Sequence, residues 1–235
     1  MHIFYCPHII SSQALLSPEE SAHCIRVLRL GKGDRVSLID GKGGMYDAVI
    51  LIPDAKQCRL EVSATTIRQK ARDFTLHLAI APTKSTDRFE WFVEKAVEIG
   101  VDIITPLLCH RSERRILKTD RLHKQIIVTM KQAMVPYLPE LHELTDYSAF
   151  ITSLTGYTQN RFIAYCDDVE RKSLKNAMAS QSNIIILVGP EGDFTPGEVE
   201  LAIAQSFIPV SLGKNRLRTE TAGIVACQTV NLMNE

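Results

Sequence analysis

Two rhythms of hydrophobic and polar positions divide this 235-residue chain. Over residues 1–72 the apolar runs are short and separated by turn residues. Residues 35–39 and 45–52 alternate as strands do, and Asp40-Gly41-Lys42-Gly43-Gly44 between them reads as a glycine-rich hairpin connection. Residues 60–66 form a further alternating strand. Ser17-Pro18-Glu19-Glu20 opens a short helix with a cap and an early proline. Several short strands at this spacing predict a small β-barrel, and residues 67–72 read as the linker that follows it.

From residue 73 strands and helices alternate. A strand over 74–81 leads through a loop at 82–86 to a helix over 87–99. That helix has Phe89, Phe92, Val93, Ala96 and Val97 on one face and Gly100 just past its end. A strand at 101–108, a basic helix at 121–134 and a strand at 161–166 come next, with Asp167-Asp168 as a polar loop beyond. A buried strand at 184–188 precedes a helix opened by Thr195-Pro196-Gly197-Glu198, a capping box with proline at the first helical position. A strand at 208–212 and a helix at 221–232 complete the chain. This order predicts a largely parallel sheet with helices on both faces. The fold class is therefore α/β, with a small β-rich domain over 1–70 and a larger α/β domain over 73–235.

Composition narrows the class. Hydrophobic residues make up 45% of the chain and the mean hydropathy is −0.01, values of a soluble globular protein with a real core. No apolar run approaches the ~20 residues that span a bilayer, and the first residues lack the charged start and long apolar stretch of a signal peptide. The cysteines at positions 6, 24, 58, 109, 166 and 227 show neither paired nor zinc-type spacing. They read as reduced thiols of a cytoplasmic protein. The seven histidines form no metal-ligand pattern, so no metal is expected.

Formal charge balances at 27 Lys/Arg against 27 Asp/Glu, but its distribution is uneven. Residues 1–72 hold ten basic and seven acidic side chains. Within 111–131, Arg111, Arg114, Arg115, Lys118, Arg121, Lys124 and Lys131 face only Glu113 and Asp120. A basic stripe of this kind attracts phosphate backbones; a solvated helix face would carry the same charges.

The candidate chemistry sits in two loops. Strand 184–188 opens into Gly189-Pro190-Glu191-Gly192-Asp193-Phe194, and strand 208–212 runs into a loop reaching Gly223 that carries Arg216, Leu217, Arg218, Thr219, Glu220 and Thr221. In an open α/β sheet such loops lie at the carboxyl ends of the strands, where ligands bind. Neither matches a nucleotide fingerprint: Gly189-x-x-Gly192 lacks the Gly-Lys-Ser/Thr ending of a phosphate loop, and no G-x-G-x-x-G follows the first strand of the larger domain. An NTPase or nicotinamide enzyme is disfavoured. The residue types suit a neutral or cationic cofactor held largely by backbone. Gly189, Gly192 and Gly213 permit close approach, Leu212 and Leu217 flank an aromatic ring, Arg218 holds an anion, and Glu220 accepts a proton or fixes an arginine.

At these residues the chain resembles the SPOUT class of S-adenosylmethionine-dependent RNA methyltransferases, and more closely the ribosomal small subunit methyltransferase E family. The resemblance is carried by residues 187–198, 211–222 and 92–106, and by residues 23–36 for that family's RNA-binding, PUA-like domain. It implies a PUA-like β-barrel followed by a SPOUT domain whose last strand and helix form a deep trefoil knot, and a homodimer. The implied activity is methylation of N3 of a specific uridine in 16S rRNA of the small (30S) ribosomal subunit, with S-adenosylmethionine as cofactor. The implied cofactor-binding residues are Thr83, Leu187, Gly189, Pro190, Glu191, Gly192, Ser211, Leu212, Gly213, Leu217, Arg218, Thr221 and Ala222. Arg218, Glu191 and Glu220 are the implied catalytic residues. Arg26, Arg29, Lys32 and Arg35, with Arg111, Arg114 and Arg115, are the implied RNA contacts, and no membrane is involved. Glu220 has a second reading, as cap and dipole partner of the last helix. Two departures from the family pattern stand out: Asp193 occupies a position usually glycine, and residues 132–139 lack the usual arginine. A ribose 2′-O-methyltransferase of the same superfamily and a non-catalytic RNA-binding protein are the rival expectations.

Overall fold

A computed structural model describes residues 2–10, 12–67, 73–154, 160–166, 171–179 and 182–234. Residues 68–72 of the expected linker and the Asp167-Asp168 loop lie outside the described residues. The chain divides into two compact units, Met1–Ala71 with Ile127–Leu138, and Arg72–Ile126 with Pro139–Glu235.

In the first unit, strands β1 (Ile3–Tyr5), β2 (Ile9–Ile10), β3 (Gln13–Leu15), β4 (Arg35–Ile39), β5 (Gly44–Ile52) and β6 (Arg59–Ile67) form one sheet in the order β1-β4-β5-β6-β3-β2. Only β1 and β4 pair in parallel. Register shifts between Asp47 and Ala48 and between Ile50 and Ile52 bend the long strands, as bulges do. The curled sheet closes on Phe4, Leu16, Leu38, Ile50 and Leu60, all buried. The β4–β5 connection works through turn chemistry. Asp40 Oδ1 accepts from the amides of Lys42 (2.7 Å) and Gly44 (2.9 Å), and Gly41 and Gly43 take φ values of 77° and 103° that glycine tolerates best.

Helix α1 (Pro18–Ala22) starts where the sequence predicts, with Ser17 Oγ accepting from Glu20 N at 3.2 Å, and continues as a π-helical stretch over His23–Val27. This stretch and the turn after it expose Arg26, Arg29 and Lys32, and Arg35 is exposed at the start of β4. Residues 134–138 dock onto the glycine hairpin. Gly43 N donates to Pro136 O at 3.0 Å and Leu138 N to Gly41 O at 2.9 Å.

The second unit is built on a parallel sheet. Its strands are β7 (Leu76–Ile80), β8 (Ile103–Leu108), β9 (Glu140–Leu141), β10 (Thr145–Asp146), β11 (Asn160–Ala164), β12 (Ile184–Val188) and β13 (Ile208–Val210). Their order is β10-β8-β7-β12-β11-β13, with β9 also on β8, and every pairing is parallel. Its helices are α2 (Thr86–Ile99), α3 (Thr119–Gln132, shared with the first unit), α4 (Tyr147–Ser153), α5 (Leu174–Ala177), α6 (Pro196–Ala204) and α7 (Thr219–Leu232). β7 and β12 are buried along their whole length, the pattern of central strands covered on both faces. On one side Tyr147 and Phe150 of α4 and Val199 and Ala202 of α6 pack with Leu187 and Phe194. On the other, α7 approaches α2 and β7 so closely that a Cβ on Gly223 would meet Phe92 at 2.5 Å and Ile80 at 2.8 Å.

Several boundaries differ from expectation by two residues: α3 begins and ends earlier, α7 begins earlier, β7 and β8 begin later, β11 ends at Ala164 rather than 166, and β13 stops at Val210 rather than 212. Helix α7 is preceded by Arg218, which makes no capping bond, so its start carries no sequence signature. The short elements β1 to β3, β9, β10, α4 and α5 have too few residues to show a period.

Candidate cofactor cleft

The β12–α6 loop begins at Val188, the last residue of a wholly buried strand, and reverses at once. Asp193 N donates to Pro190 O at 2.9 Å, and the helix beyond is fixed by a complete capping box between Thr195 and Glu198. Gly189 is confined beneath this turn, where an added Cβ would lie 3.1 Å from the Phe194 ring. Thr219 Oγ1, at the start of α7, donates to Gly189 O at 3.1 Å and so ties the second loop to the first. In that second loop, after β13, Ser211 Oγ donates to Gly213 O at 2.9 Å. Gly213 has φ 148° with open space where a side chain would project. A third wall comes from the segment after β11, through Leu174 N donating to Ser211 O (2.9 Å) and Ser211 N to Lys172 O (3.0 Å).

These loops enclose a cleft of about 790 Å³ at the carboxyl ends of β11, β12 and β13, within the size range of small-molecule sites. Val188, Val210, Leu212 and Leu217 supply apolar wall. Glu191 and Asp193 supply carboxylates, and Arg171, Lys214, Arg216 and Arg218 supply cations. Arg171 is held in place, its guanidinium 3.7 Å from the Tyr165 ring centroid and Nη1 donating to Tyr165 O at 2.9 Å. Cys166 also lines the cleft; burial and then the Asp193 carboxylate push its thiol up, so it is a poor nucleophile.

Of the expected cofactor residues, Gly189, Pro190, Glu191, Ser211, Leu212, Gly213, Leu217, Arg218 and Ala222 line the cleft. Four sit elsewhere. Leu187 is in the core of β12, and Thr83 is fully buried with its hydroxyl donating to Ser85 O at 2.7 Å. Gly192 abuts Arg111, and Thr221 lies within α7 off the cleft wall. Among the expected catalytic residues, Arg218 and Glu191 reach the cleft. Glu220 is buried at 7% exposure, in the first turn of α7, with the Arg88 Nε 3.9 Å from its carboxylate. Sequence reasoning missed Tyr165, Arg171, Ser173, Asp193 and Thr219 as lining residues. Asp193 and Thr219 fell inside recognised motifs, whereas the segment after β11 carries no glycine signature to mark it.

The expected RNA contacts differ among themselves. Arg26, Arg29, Lys32 and Arg35 are exposed, as is Arg115. Arg111 is exposed as well, but it and the half-buried Arg114 donate to backbone carbonyls of neighbouring loops, Arg111 Nη1 to Gly192 O at 2.8 Å and Arg114 Nε to Thr83 O at 3.1 Å. Among the described residues no group of three or more His, Cys, Asp or Glu is placed to hold a metal ion, and no helix is long and apolar enough to cross a membrane.

An RNA methyltransferase domain model matches residues 70–231, which include every strand of the parallel sheet and both glycine loops, and an RNA methyltransferase PUA domain model matches residues 16–63. The ribosomal RNA small subunit methyltransferase E of Synechocystis sp. is 30% identical over 97% of this chain and 75% of its own length. The chain belongs to the ribosomal small subunit methyltransferase E family. Two solved structures share the fold over all of this chain and 98% of their own. One is a probable rRNA methyltransferase of Porphyromonas gingivalis (41% identical, TM-score 0.91). The other is the small subunit methyltransferase E of Neisseria gonorrhoeae bound to S-adenosylmethionine (25% identical, TM-score 0.87).

Membership of the methyltransferase E family accounts for a PUA-like sheet and a parallel SPOUT sheet in one chain, and gives both departures a local setting. Asp193 sits at φ 60°, the left-handed conformation that glycine would adopt freely. Its carboxylate accepts from Phe194 N and Cys166 N, each at 2.8 Å, so it adds bonds a glycine cannot make. The segment without its arginine is anchored through backbone bonds to the glycine hairpin, which are independent of side chain.

Proposed function

We propose that this protein methylates N3 of a specific uridine in 16S rRNA, using S-adenosylmethionine bound in the cleft, as a cytoplasmic homodimer with a trefoil-knotted cofactor domain over 73–235. In this reading the 1–70 domain grips phosphates through Arg26, Arg29, Lys32 and Arg35 without reading bases. The observation that carries the proposal is the convergence of both glycine loops on one cleft holding Arg218 and Glu191. Its residues fit the cofactor: aliphatic walls suit an adenine ring, the carboxylates suit a sulfonium, and the fixed Arg171 suits a carboxylate.

S-adenosylmethionine supplies a methyl group already activated for transfer. The protein's own task is alignment and proton management. Uracil N3–H is a weak acid, so the nitrogen attacks only after its proton leaves. Arg218 stabilises the negative charge then spread over the uracil carbonyls. Glu191 is positioned to accept the proton, its Oε1 already oriented by Lys84 N at 2.8 Å. Glu220, paired with Arg88, serves the start of α7 instead. The base reaches the cleft by turning out of its rRNA helix.

The test is transfer of labelled methyl groups to 16S rRNA in vitro, followed by nucleoside analysis. Label on a uridine base supports the proposal. Label on ribose, or calorimetry showing no S-adenosylmethionine binding, refutes it.

A further inference from the structure

Besides the contacts described above, the β12–α6 loop receives polar contacts from the loop between β8 and α3. Arg111 Nη1 donates to Gly192 O at 2.8 Å and to Phe194 O at 3.4 Å. Its side chain lies so near that a Cβ on Gly192 would come within 3.2 Å of Arg111 Cβ. Arg114 grips the β7–α2 loop with two nitrogens, Nε donating to Thr83 O at 3.1 Å and Nη2 to Lys84 O. Lys84 passes this restraint on: its amide donates to Glu191 Oε1 at 2.8 Å, while its ammonium pairs with Glu113 at 2.7 Å. The cleft loop is thus held at Glu191, Gly192 and Phe194 by a chain of contacts that starts at two arginines.

We propose that Arg111 and Arg114 are positioning residues of the methyl-donor cleft rather than RNA phosphate contacts, an inference that rests on the cofactor reading above. A backbone-held cofactor binds tightly only if the backbone is already in its bound shape, because ordering a loop on binding subtracts from affinity. Charge-assisted bonds from guanidinium to carbonyl are strong enough to impose that shape. Arg114 uses the planar fork for two carbonyls at once, which a lysine ammonium cannot reproduce.

The two roles separate experimentally. Arg111→Ala, Arg114→Ala and Arg114→Lys are compared with the parent protein by calorimetry with S-adenosylmethionine and by rRNA-fragment binding across a salt series. Positioning predicts cofactor affinity lowered about tenfold or more in all three, with Lys failing to rescue, and an unchanged slope of log affinity against log salt. Phosphate contact predicts unchanged cofactor affinity, a slope shallower by about 0.7–0.9 per residue removed, and rescue by Lys; that outcome overturns the inference. Amide exchange on the ligand-free protein gives a readout independent of the cofactor. Residues 191–194 should exchange faster in Arg111→Ala while β12 stays protected, and unchanged exchange there also overturns the inference. Failure of the parent protein to bind S-adenosylmethionine would instead count against the proposed function.

Discussion

Asp193 shows how one side chain can replace a glycine at a cleft. Its left-handed backbone costs roughly 1 kcal/mol, set against two bonds its carboxylate accepts, one from Phe194 N within the loop and one from Cys166 N after β11. Asp193→Ala loses the bonds and keeps the strain, whereas Asp193→Gly loses the bonds and the strain together. Thermal melts should therefore rank the parent above Gly and Gly above Ala, with the two variants about 1 kcal/mol apart; an Ala variant as stable as Gly would contradict this. Arg218→Ala tests the chemistry instead. Methyl transfer should fall by at least about a hundredfold, the scale of losing one charge-stabilising donor, while calorimetry shows cofactor binding largely kept. An active Arg218→Ala protein would remove Arg218 from the mechanism.

Among the elements, the ones with a complete local signature were legible from sequence: α6 with its capping box, β12 as an unbroken apolar run, and the β4–β5 hairpin with its glycines. Helix α3 was legible as a basic helix, but the loop before it only as charge. Sequence shows that Arg111 and Arg114 are basic, but the carbonyls they meet lie about 30 and 80 positions away along the chain, so their structural role left no local trace. The same holds for His77. It is buried on β7, bonded to Thr105 of β8 at 2.7 Å, and Thr105 in turn meets His142 at 2.7 Å. Burial, then the neighbouring His142, lowers the His77 pKa from its usual 6.5 to about 3. The unfolded chain therefore binds the proton that the folded chain refuses between those values, and this group's contribution to stability falls as pH drops below about 6.5. The slope approaches about 1.4 kcal/mol per pH unit, measurable by denaturant unfolding at pH 7 and pH 5. At the contact of α7 with α2, Gly223→Val should cost about 1–3 kcal/mol through overpacking against Phe92 and Ile80. A melt unchanged by that substitution would refute the close approach.

For the molecule as a whole, fold class and family were legible because two glycine loops and a PUA-type segment occur together; neither loop alone named a ligand. Net charge is zero, so any affinity for RNA has to come from local patches such as Arg26, Arg29, Lys32 and Arg35. Replacing these four by Ala should weaken rRNA binding with little change in cofactor binding, and should make its salt dependence shallower by about 0.7–0.9 for each phosphate-binding side chain removed. The proposed site of methylation is read out by mass mapping of 16S rRNA from cells lacking this protein. That map should lack one methyl group on a uridine base, restored by the parent gene and not by the Arg218→Ala variant. An unchanged methylation map, or loss of a ribose methyl, would contradict the proposed site.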